Sequence, residues 1–424
     1  IISQKNQIVA QIPTSALSDE TPINIHNIIK EPPIHLLEKW EWTEEELPAI
    51  SENKIFSLKD QKKYSFSEII FKLLSNPSIA SKSWVYRQYD SQVQSNTIFK
   101  PGDADAALIR LRRQDEKNKN NEFSGVAASV DCNSRWVLLD PYRGTIAAVA
   151  ESARNVSCVG AQPIAITNNL NFSSPDTEIG YWQLSSACDG ISKACIALET
   201  PVTGGNVSLY NESKNQKNQV TPINPTPVIG MVGTIKNVDK AISSGWKNIN
   251  DQIWIIGSNA SESLIAASSY LEYFHDLVTG RPPKIHLQDE KCCQSFLRDS
   301  IQKNYIASSH DVSDGGLAVA LSECCILSSK GAYIQLEEKN ARQDNLLFSE
   351  GGSRIIFSVN KKEEQNFLNF LEIKSKDFGK NVYVKKIGFV SEHNLDITLQ
   401  DQILCNLRVD ELTEKFNNSI SNCF

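Results

Sequence analysis

The chain has 424 residues, of which 40% are hydrophobic and 22% are charged. This composition is ordinary for a globular protein, and at roughly 150 residues per domain the length predicts two or three domains. The formal net charge of −7 offers no basic excess for a nucleic-acid backbone. No apolar run approaches the ~20 residues of a membrane helix. We therefore expect neither nucleic acid nor a membrane as a partner.

Position 1 is Ile, and Met231 is the only methionine, so we expect the sequence to be a piece of a longer polypeptide. The ten cysteines form no Cys-x-x-Cys pair and there are six histidines, so the spacing of a zinc site is absent. Cys158, Cys188 and Cys195 lie in apolar helical patterns. This favours free thiols in a reducing cytosol and predicts a cytoplasmic protein.

The first 76 residues show few regular patterns. Residues 7–12 predict one short strand without a nearby partner. Residues 21–65 are rich in proline, charge and tryptophan, which predicts a linker with one or two short helices. Residues 66–76 place apolar side chains at helical spacing and predict a helix.

From about residue 84, strand-like runs alternate with amphipathic helical segments. The elements expected in this first unit are 127–140 (strand, turn, strand), 145–159 (helix), 163–170 (strand), 179–198 (helix) and 228–235 (strand). A second unit starts near residue 247, and its expected elements are strands 252–258, 354–359 and 382–390 and helices 290–302 and 316–327. The mixture predicts an α/β or α+β protein with two sizeable domains.

The run Thr-Gly-Gly-Asn-Val-Ser at residues 203–208 is a candidate ligand site. Its two glycines allow a ligand to approach the backbone closely, and Asn206 and Ser208 share a face of an extended segment. Their oxygen atoms suit a phosphate or a hydrated Mg²⁺. A hairpin turn with polar edge residues is the commoner cause of such a pattern, so the motif alone leaves both interpretations open.

Several aspartates are candidate metal or nucleotide contacts. Asp103 and Asp105 precede a strand-like run and could share one metal, while Asp131 and Asn133 share a strand face. Asp314 precedes two glycines at the start of a predicted helix, where free N–H groups could hold an anion. A polar turn, a solvated strand end and an aspartate N-cap explain these patterns without a ligand.

Six segments, taken in order, resemble phosphoribosylformylglycinamidine synthase, the ATP-dependent amidotransferase family of purine synthesis. They are WVYRQYD (84–90), DPYRG (140–144), ARNVSCVGAQP (153–163), TNNLNF (167–172), GGNVSLYNE (204–212) and HDVSDGGL (310–317). The segments GRPPK (280–284) and FSEGGSR (348–354) match the family as well. The resemblance extends over about residues 8–400, and the ordered set is far more specific than any single motif.

The resemblance implies a fold like that of aminoimidazole ribonucleotide synthetase. The synthetase subunit of the family has two similar halves, each with an A domain and a B domain, and this chain resembles the second half. The implied division is 1–20 (last strand of the preceding B domain), 21–65 (linker), 66–240 (A domain, mixed sheet and helices), 247–400 (B domain, α/β sandwich) and 401–424 (tail). The implied partners are the first half, a separate glutaminase subunit and a small bridging subunit.

The family converts formylglycinamide ribonucleotide, ATP and ammonia to the amidine, ADP and phosphate. An amide oxygen leaves poorly, so ATP phosphorylates it to an iminophosphate that ammonia can displace, while Mg²⁺ neutralises phosphate charge. The resemblance implies that Asn168 and Gly205 contact ATP, that Asn206 binds Mg²⁺ and that Ser208 contacts the ribonucleotide. Many relatives have Asp where this chain has Asn168.

No catalytic residue is expected in this chain. The family's catalytic histidine lies in the first half, and His310 does not match it, so the isolated chain is expected to be inactive. One alternative is a stand-alone aminoimidazole ribonucleotide synthetase or thiamine-phosphate kinase, against which the long segment before residue 84 argues. The other is a non-catalytic half that holds a structural nucleotide, with these candidate contacts: Asp103, Asp105, Asp131 and Asp314.

Overall fold

The computed structural model describes residues 1–423 apart from 24, 26, 30, 113–122, 259–263 and 338–340. Its strands are β1 (Ile2–Gln4), β2 (Gln7–Ala10), β3 (Lys54–Ser57), β4 (Lys62–Ser65), β5 (Thr97–Phe99), β6 (Ala107–Arg110), β7 (Gly125–Asp131), β8 (Gln162–Asn171), β9 (Val202–Ser208), β10 (Glu212–Lys214), β11 (Val220–Pro222), β12 (Thr226–Ile235), β13 (Gln252–Ser258), β14 (Ile306–Asp311), β15 (Gly331–Leu336), β16 (Ile355–Val359), β17 (Val382–Ser391), β18 (Asn394–Leu399) and β19 (Gln402–Arg408).

Its α-helices are α1 (Ile34–Trp40), α2 (Phe66–Leu74), α3 (Ser83–Tyr86), α4 (Ser134–Leu139), α5 (Pro141–Cys158), α6 (Glu178–Leu198), α7 (Leu287–Gln302), α8 (Gly316–Ser328), α9 (Gln343–Phe348), α10 (Glu364–Lys374) and α11 (Val409–Asn418). A π-helical turn spans Tyr270–Phe274. Within the described ranges, no helix combines the length with the apolar character that a bilayer crossing requires.

The first unit is built on a six-stranded sheet in the order β5-β6-β7-β12-β8-β9. Strand β12 runs antiparallel to β7 and β8, whereas β8 and β9 are parallel. Helices α5 and α6 cover one face of this sheet, and the core between them includes Val149, Ile191 and Met231. On the other face Val130 remains 71% exposed, and Ile109 and other apolar side chains are exposed as well. Among the described residues, only one face of this sheet is therefore covered.

The second unit is built on a seven-stranded sheet in the order β14-β16-β13-β17-β15-β18-β19. Alternate residues of β13 face opposite sides, as the pleat of a strand requires. Ile253 and Ile255 pack in a cluster with side chains of α2, α8 and α11, whereas Trp254 and Ile256 pack with side chains of α7 and α10. This sheet is therefore covered on both faces.

The packing differs from the expected division at two places. Helix α2 was assigned to the first unit, but Phe66 and Ile69 are fully buried in the core of the second. Residues 401–424 were assigned to a tail, but β19 pairs with β18 and α11 buries Leu412 in the same core. Helix α2 can bury its apolar face only against elements that are distant in the sequence, whereas β19 extends the second sheet beside its neighbour β18.

Three local predictions also need correction. Strand β2 lies where residues 7–12 predicted a strand, but it pairs with β1 in a hairpin. The expected linker contains the hairpin β3–β4 in addition to α1. Residues 127–140 form one strand followed by α4, because the Asn133 side chain accepts the N–H of Trp136 and caps a helix there. The other helices and strands expected after residue 66 are confirmed within a few residues at each end.

Candidate active site

The parallel strands β8 and β9 bring the two polar motifs at 167–172 and 203–208 side by side. Their register pairs Asn168 with Gly205 and Asn169 with Asn206. Because paired residues of neighbouring strands share a face and successive residues alternate, these two pairs lie on opposite faces of the sheet. We call the end of these two strands the β8–β9 corner.

The Asn168–Gly205 pair lies on the face covered by α6. A cleft of about 560 Å³ opens there, and its lining comes from Asn168, from α6, including Cys188 and Ile191, and from residues 199–202. A Cβ atom at Gly205 would overlap with Oδ1 and the main-chain oxygen of Asn168, so only glycine allows this close approach. The structure therefore places the two residues with an implied ATP contact next to each other.

The residues with implied metal and substrate contacts, Asn206 and Ser208, share the uncovered face. In register with them are Asn169 and Asn171 of β8. The Ser208 side chain exchanges hydrogen bonds with the Asn211 side chain, at 3.2 to 3.3 Å. This places a row of amide and hydroxyl groups at the β8–β9 corner, accessible from the uncovered side.

Sequence reasoning missed Asn169 and Asn171 as members of this row. The signal was present, because Thr167, Asn169 and Asn171 recur with a period of two and predict one polar face of a strand. Asn171 Nδ2 donates to the main-chain oxygen of Thr226 on β12 at 3.3 Å, which ties the corner to the centre of the sheet.

Asp103 and Asp105 do not meet at a common point. Asp103 lies in an exposed turn and accepts the N–H of Lys100. Asp105 is buried, where it contacts His310 Nδ1 at 2.6 Å and accepts the hydroxyl of Ser244 and the N–H of Asp311. Both carboxylate oxygens of Asp105 are therefore occupied by protein groups.

His310 is an internal cation in this arrangement. Its Nε2 contacts Glu323 at 3.1 Å on the side away from Asp105. Burial alone would lower the pKa of His310, but the charges and hydrogen bonds of Asp105 and Glu323 raise it well above the usual value. Burial raises the pKa of Asp105, but the charge of His310 and the hydrogen bonds from His310, Ser244 and the N–H of Asp311 together outweigh burial and lower the pKa. A histidine held in its charged form is a poor general base.

Asp131 belongs to a buried acidic cluster with Glu151 and Asp311. Burial, followed by the charge of Asp311, raises the pKa of Asp131 to about 7, and burial, followed by the charge of Asp131, raises the pKa of Glu151 well above its usual value. Arg154 is the cation of the cluster, since it pairs with Asp311 and with Glu290, the latter at 2.8 Å. The cavity that remains beside Glu151 and Arg154 is only about 20 Å³.

Asp314 is half-exposed and belongs to a third network. It accepts hydrogen bonds from Asn133 and Ser269 and lies 3.8 Å from Arg135. Arg135 is buried and pairs more closely with Glu272 and Glu350. The four aspartates do not converge on one point, although Asp311 links the surroundings of Asp105 and Asp131. The described part of the chain contains no group of three or more His, Cys, Asp or Glu side chains arranged to hold a metal ion.

Comparison with known proteins defines the class of these two units. Residues 103–235 match the N-terminal domain of AIR synthase related proteins, and residues 248–388 match the C-terminal domain of the same proteins. These are the units of the six-stranded and the seven-stranded sheets, and together they define a protein of the AIR synthase related class.

The similarity to individual proteins extends over the whole chain. The chain is 97% identical to the phosphoribosylformylglycinamidine synthase subunit PurL of Prochlorococcus marinus subsp. pastoris (strain CCMP1986 / NIES-2087 / MED4). It is 82% identical to the same subunit of Prochlorococcus marinus strain MIT 9515. Each alignment covers 100% of this chain and 54% of the relative. The chain belongs to the phosphoribosylformylglycinamidine synthase PurL family and spans about half the length of the curated relatives that it matches.

Solved structures show the same fold. The structure of T. maritima PurL complexed with FGAR is similar with a TM-score of 0.63 at 17% identity, covering 82% of this chain and 54% of that one. The complex of the same protein with ADP has a TM-score of 0.62 at 16% identity, covering 84% and 53%.

Proposed function

We propose that this chain is the second half of a synthetase subunit that converts formylglycinamide ribonucleotide and ammonia to formylglycinamidine ribonucleotide, with ATP cleaved to ADP and phosphate. The observation that carries the proposal is the β8–β9 corner, where two family motifs present adjacent polar groups on an uncovered sheet face. The near-identity to half of a PurL subunit supports the same proposal.

In this proposal Asn168 and Gly205 contact ATP from the α6 side of the corner. On the uncovered side, an added Cβ at Gly204 would have no atom within 4 Å, so the strand backbone is open to a ligand there. The T. maritima PurL complexes with ATP and ADP show that a protein of this fold binds the nucleotide, which supports a nucleotide contact at this chain.

Asn206 fits one ligand position of a Mg²⁺ ion but not the whole coordination sphere. An amide oxygen is a hard, neutral ligand, and proteins hold Mg²⁺ with carboxylates, waters and substrate phosphates as well. The described residues around Asn206 offer amides and hydroxyls. The ATP phosphates and carboxylates from outside this chain would therefore complete the site, where the ion would neutralise phosphate charge. Ser208 contacts the ribonucleotide.

The uncovered face of the six-stranded sheet supports a composite site. Val130, Ile109 and Ile164 are exposed on the first unit, and contiguous exposed apolar surface normally marks an interaction site. We propose that the first half of the subunit covers this face and supplies the catalytic histidine, the missing carboxylates and most of the substrate contacts. The amide oxygen of the substrate would then be phosphorylated at this interface and displaced by ammonia from a glutaminase subunit that a small bridging subunit holds.

The chain's ten cysteines are all free thiols, which suits the reducing cytoplasm that we propose as its location. The alternative of a structural nucleotide on Asp103, Asp105, Asp131 and Asp314 has less support. Asp105 is bonded to His310, and the acidic cluster of Asp131 already has Arg154 as its cation.

The experiment uses the complete synthetase with ammonia as the nitrogen donor. We expect Asn206→Ala to raise the KM for Mg-ATP and Ser208→Ala to raise the KM for the ribonucleotide, each about tenfold, because each variant loses a hydrogen bond or ligand to a charged partner. The matched control is Asn417→Ala, at an exposed residue of α11 in the second unit. Kinetics of Asn206→Ala and Ser208→Ala equal to those of the control would refute the assignment.

A further inference from the structure

A cavity of about 610 Å³ lies in the second unit, and the proposed function gives it no role. Its volume is within the range of small-molecule sites. The described lining comes from β13, β15 and β17 of the seven-stranded sheet and from α8 and α9. It shares no residue with the lining of the cleft beside Asn168, so the two are separate. We call it the Arg354 cavity, after the one arginine in its described lining.

One wall of the Arg354 cavity is aliphatic. Leucine and isoleucine side chains from the sheet and from both helices line it, and they are Ile255, Leu317, Leu336, Leu346 and Ile387. All of these except Leu346 are buried. The wall favours the apolar part of a ligand, because the transfer of apolar surface out of water is favourable.

Arg354 brings a charge into this apolar surrounding. It is the last residue of the family segment FSEGGSR (348–354) and is only 6% exposed. Its side chain crosses β13 where Gly257 leaves room, since a Cβ atom at Gly257 would lie 2.9 Å from Arg354 Cγ. Arg354 Nε donates to the main-chain oxygen of Gly351 at 2.8 Å, and Nη2 donates to that of Ser349. The guanidinium group is therefore fixed in position before any ligand binds.

The charge of Arg354 has no ion-pair partner among the described residues. Its two hydrogen bonds go to neutral main-chain oxygens, and Nη1 makes no hydrogen bond to a described residue. Asp311 and Glu350 act on it only from beyond ion-pair distance, and they pair with Arg154 and Arg135. Burial accordingly lowers the pKa of Arg354. A buried charge without a counter-ion is unfavourable, so an anion in the cavity would stabilise this group.

The described lining matches a ligand with a single negative charge. Its other ionic groups are Lys385 and Glu337, which pair with each other at 3.4 Å. The lining therefore keeps one net positive charge, that of Arg354. A carboxylate carries one negative charge and can accept two parallel N–H groups of a guanidinium, whereas a phosphate ester carries roughly 1.5 to 2 negative charges at neutral pH.

We propose that the Arg354 cavity binds a small organic monocarboxylate. The carboxylate accepts N–H groups of Arg354, of which Nη1 offers two, and the apolar part of the molecule lies against the aliphatic wall. Inorganic anions lack the apolar part and phosphate esters carry excess charge, so both should bind more weakly. The proposal does not depend on the role of the β8–β9 corner, which lies in the other unit.

The test is isothermal titration calorimetry of the complete synthetase subunit with 2-naphthoate. Leu346→Trp adds an indole ring to the aliphatic wall and should abolish the binding that belongs to this cavity. If that variant does not fold, Ala341→Trp fills the cavity from an exposed residue of the same lining. Cooperative urea unfolding shows which variants are folded. Absence of naphthoate binding in the wild type, or unchanged binding in a folded filled-cavity variant, would overturn the proposal.

The role of the charge is tested on the ligand and on the protein. The neutral 2-naphthamide has nearly the same shape and should bind about tenfold more weakly, because charge-assisted hydrogen bonds are lost. Arg354→Lys keeps the charge without the planar fork and should weaken naphthoate binding about tenfold. Arg408→Lys, the same change at an exposed arginine of β19, should leave it unchanged.

Equal affinities for the acid and the amide, or equal effects of the two arginine variants, would overturn the proposal. Tighter binding of 2-naphthyl phosphate than of naphthoate, in the step that the filled cavity removes, would overturn the choice of a carboxylate. Ammonia-driven activity, measured in parallel, reports on the proposed function separately.

Discussion

Two regions of the molecule use aspartate and asparagine in opposite ways. At the β8–β9 corner, Asn206 and Ser208 lie on an uncovered sheet face, where we propose that their oxygens contact ligands. In the interior, Asp131 and Asp311 are buried with Arg154, which pairs with Asp311 and occupies the position that a bound cation would need. Both regions lie at strand ends, where ligand sites are common, but their side chains meet different partners.

The difference shows that residue type at a strand end does not by itself identify a site. A buried carboxylate requires a compensating charge or a proton, because burial without either costs several kcal/mol. In the interior, Arg154, His310 and protons meet that requirement. At the corner, neutral amides need no such compensation and remain available for a ligand.

The largest expected effect is on the interior region. Arg154→Met leaves Asp311 and Glu290 buried without their cation, which should lower the free energy of unfolding by about 3–5 kcal/mol. Urea unfolding of the wild type and the variant measures the change. The control Lys374→Met removes an exposed partner of Asp299 and should cost less than about 1 kcal/mol. Equal losses in both variants would show that the interior pairs are not the compensating charges.

The next effect separates the two glycines of the corner. Gly205→Ala forces its Cβ against Asn168 and should cost about 1–3 kcal/mol through overpacking, with a loss of ATP use. Gly204→Ala meets no atom within 4 Å and should leave stability nearly unchanged, so it is the matched control. If the two variants unfold at the same urea concentration, the close pairing of β8 and β9 at this point is wrong.

The smallest effect concerns the pH dependence of stability. The pKa of Asp131 is about 7 in the folded chain, above its usual value near 3.8, so the folded state binds this proton more tightly than the unfolded state. The contribution of the Asp131 proton to the free energy of unfolding is therefore fully present below about pH 4 and is lost as the pH rises toward 7. Asp131→Asn should gain at least about 1 kcal/mol at pH 8 and almost nothing at pH 4.

Unfolding at both pH values measures the effect of Asp131→Asn. The same change at the exposed Asp239 serves as its control and should give no pH-dependent gain. A gain of equal size at pH 4 and pH 8 would contradict the raised pKa of Asp131. It would mean that a bound proton does not neutralise the interior cluster.

Local patterns in the sequence predicted many of the longer helices and strands, but not most of the short elements and not where some of the predicted ones pack. Helices α5 and α6 follow directly from apolar spacing, and β8 was predicted as a strand. Residues 203–208, which form β9, were left open between an extended ligand site and a hairpin turn. Helix α2 was assigned to the wrong unit because the core in which it packs is formed mainly by residues after 246. Strand β19 was assigned to a tail, although its partner β18 directly precedes it. The helix at Ser134–Leu139 was missed because one side chain, Asn133, decides between strand and helix there.

Some features of the candidate site could be predicted from the sequence, and others could not. The shared face of Asn206 and Ser208 follows from a period of two, and the structure pairs Asn168 with Gly205 as neighbours. The partners of the aspartates could not be predicted from the sequence. Arg154 is 157 residues from Asp311, and Asp105 is 205 residues from His310. Such distant pairs form only when the two units pack together, and a short sequence motif does not predict that packing.

The central claim is that this chain supplies half of a composite synthetase site. The most direct test is an ammonia-driven assay of the 424-residue chain, the remainder of the subunit, and the two combined, after cooperative unfolding has shown that each part is folded. The account predicts no product from the chain alone and product when the two parts are combined. Product from the isolated, monomeric chain at a rate near that of the complete subunit would contradict it.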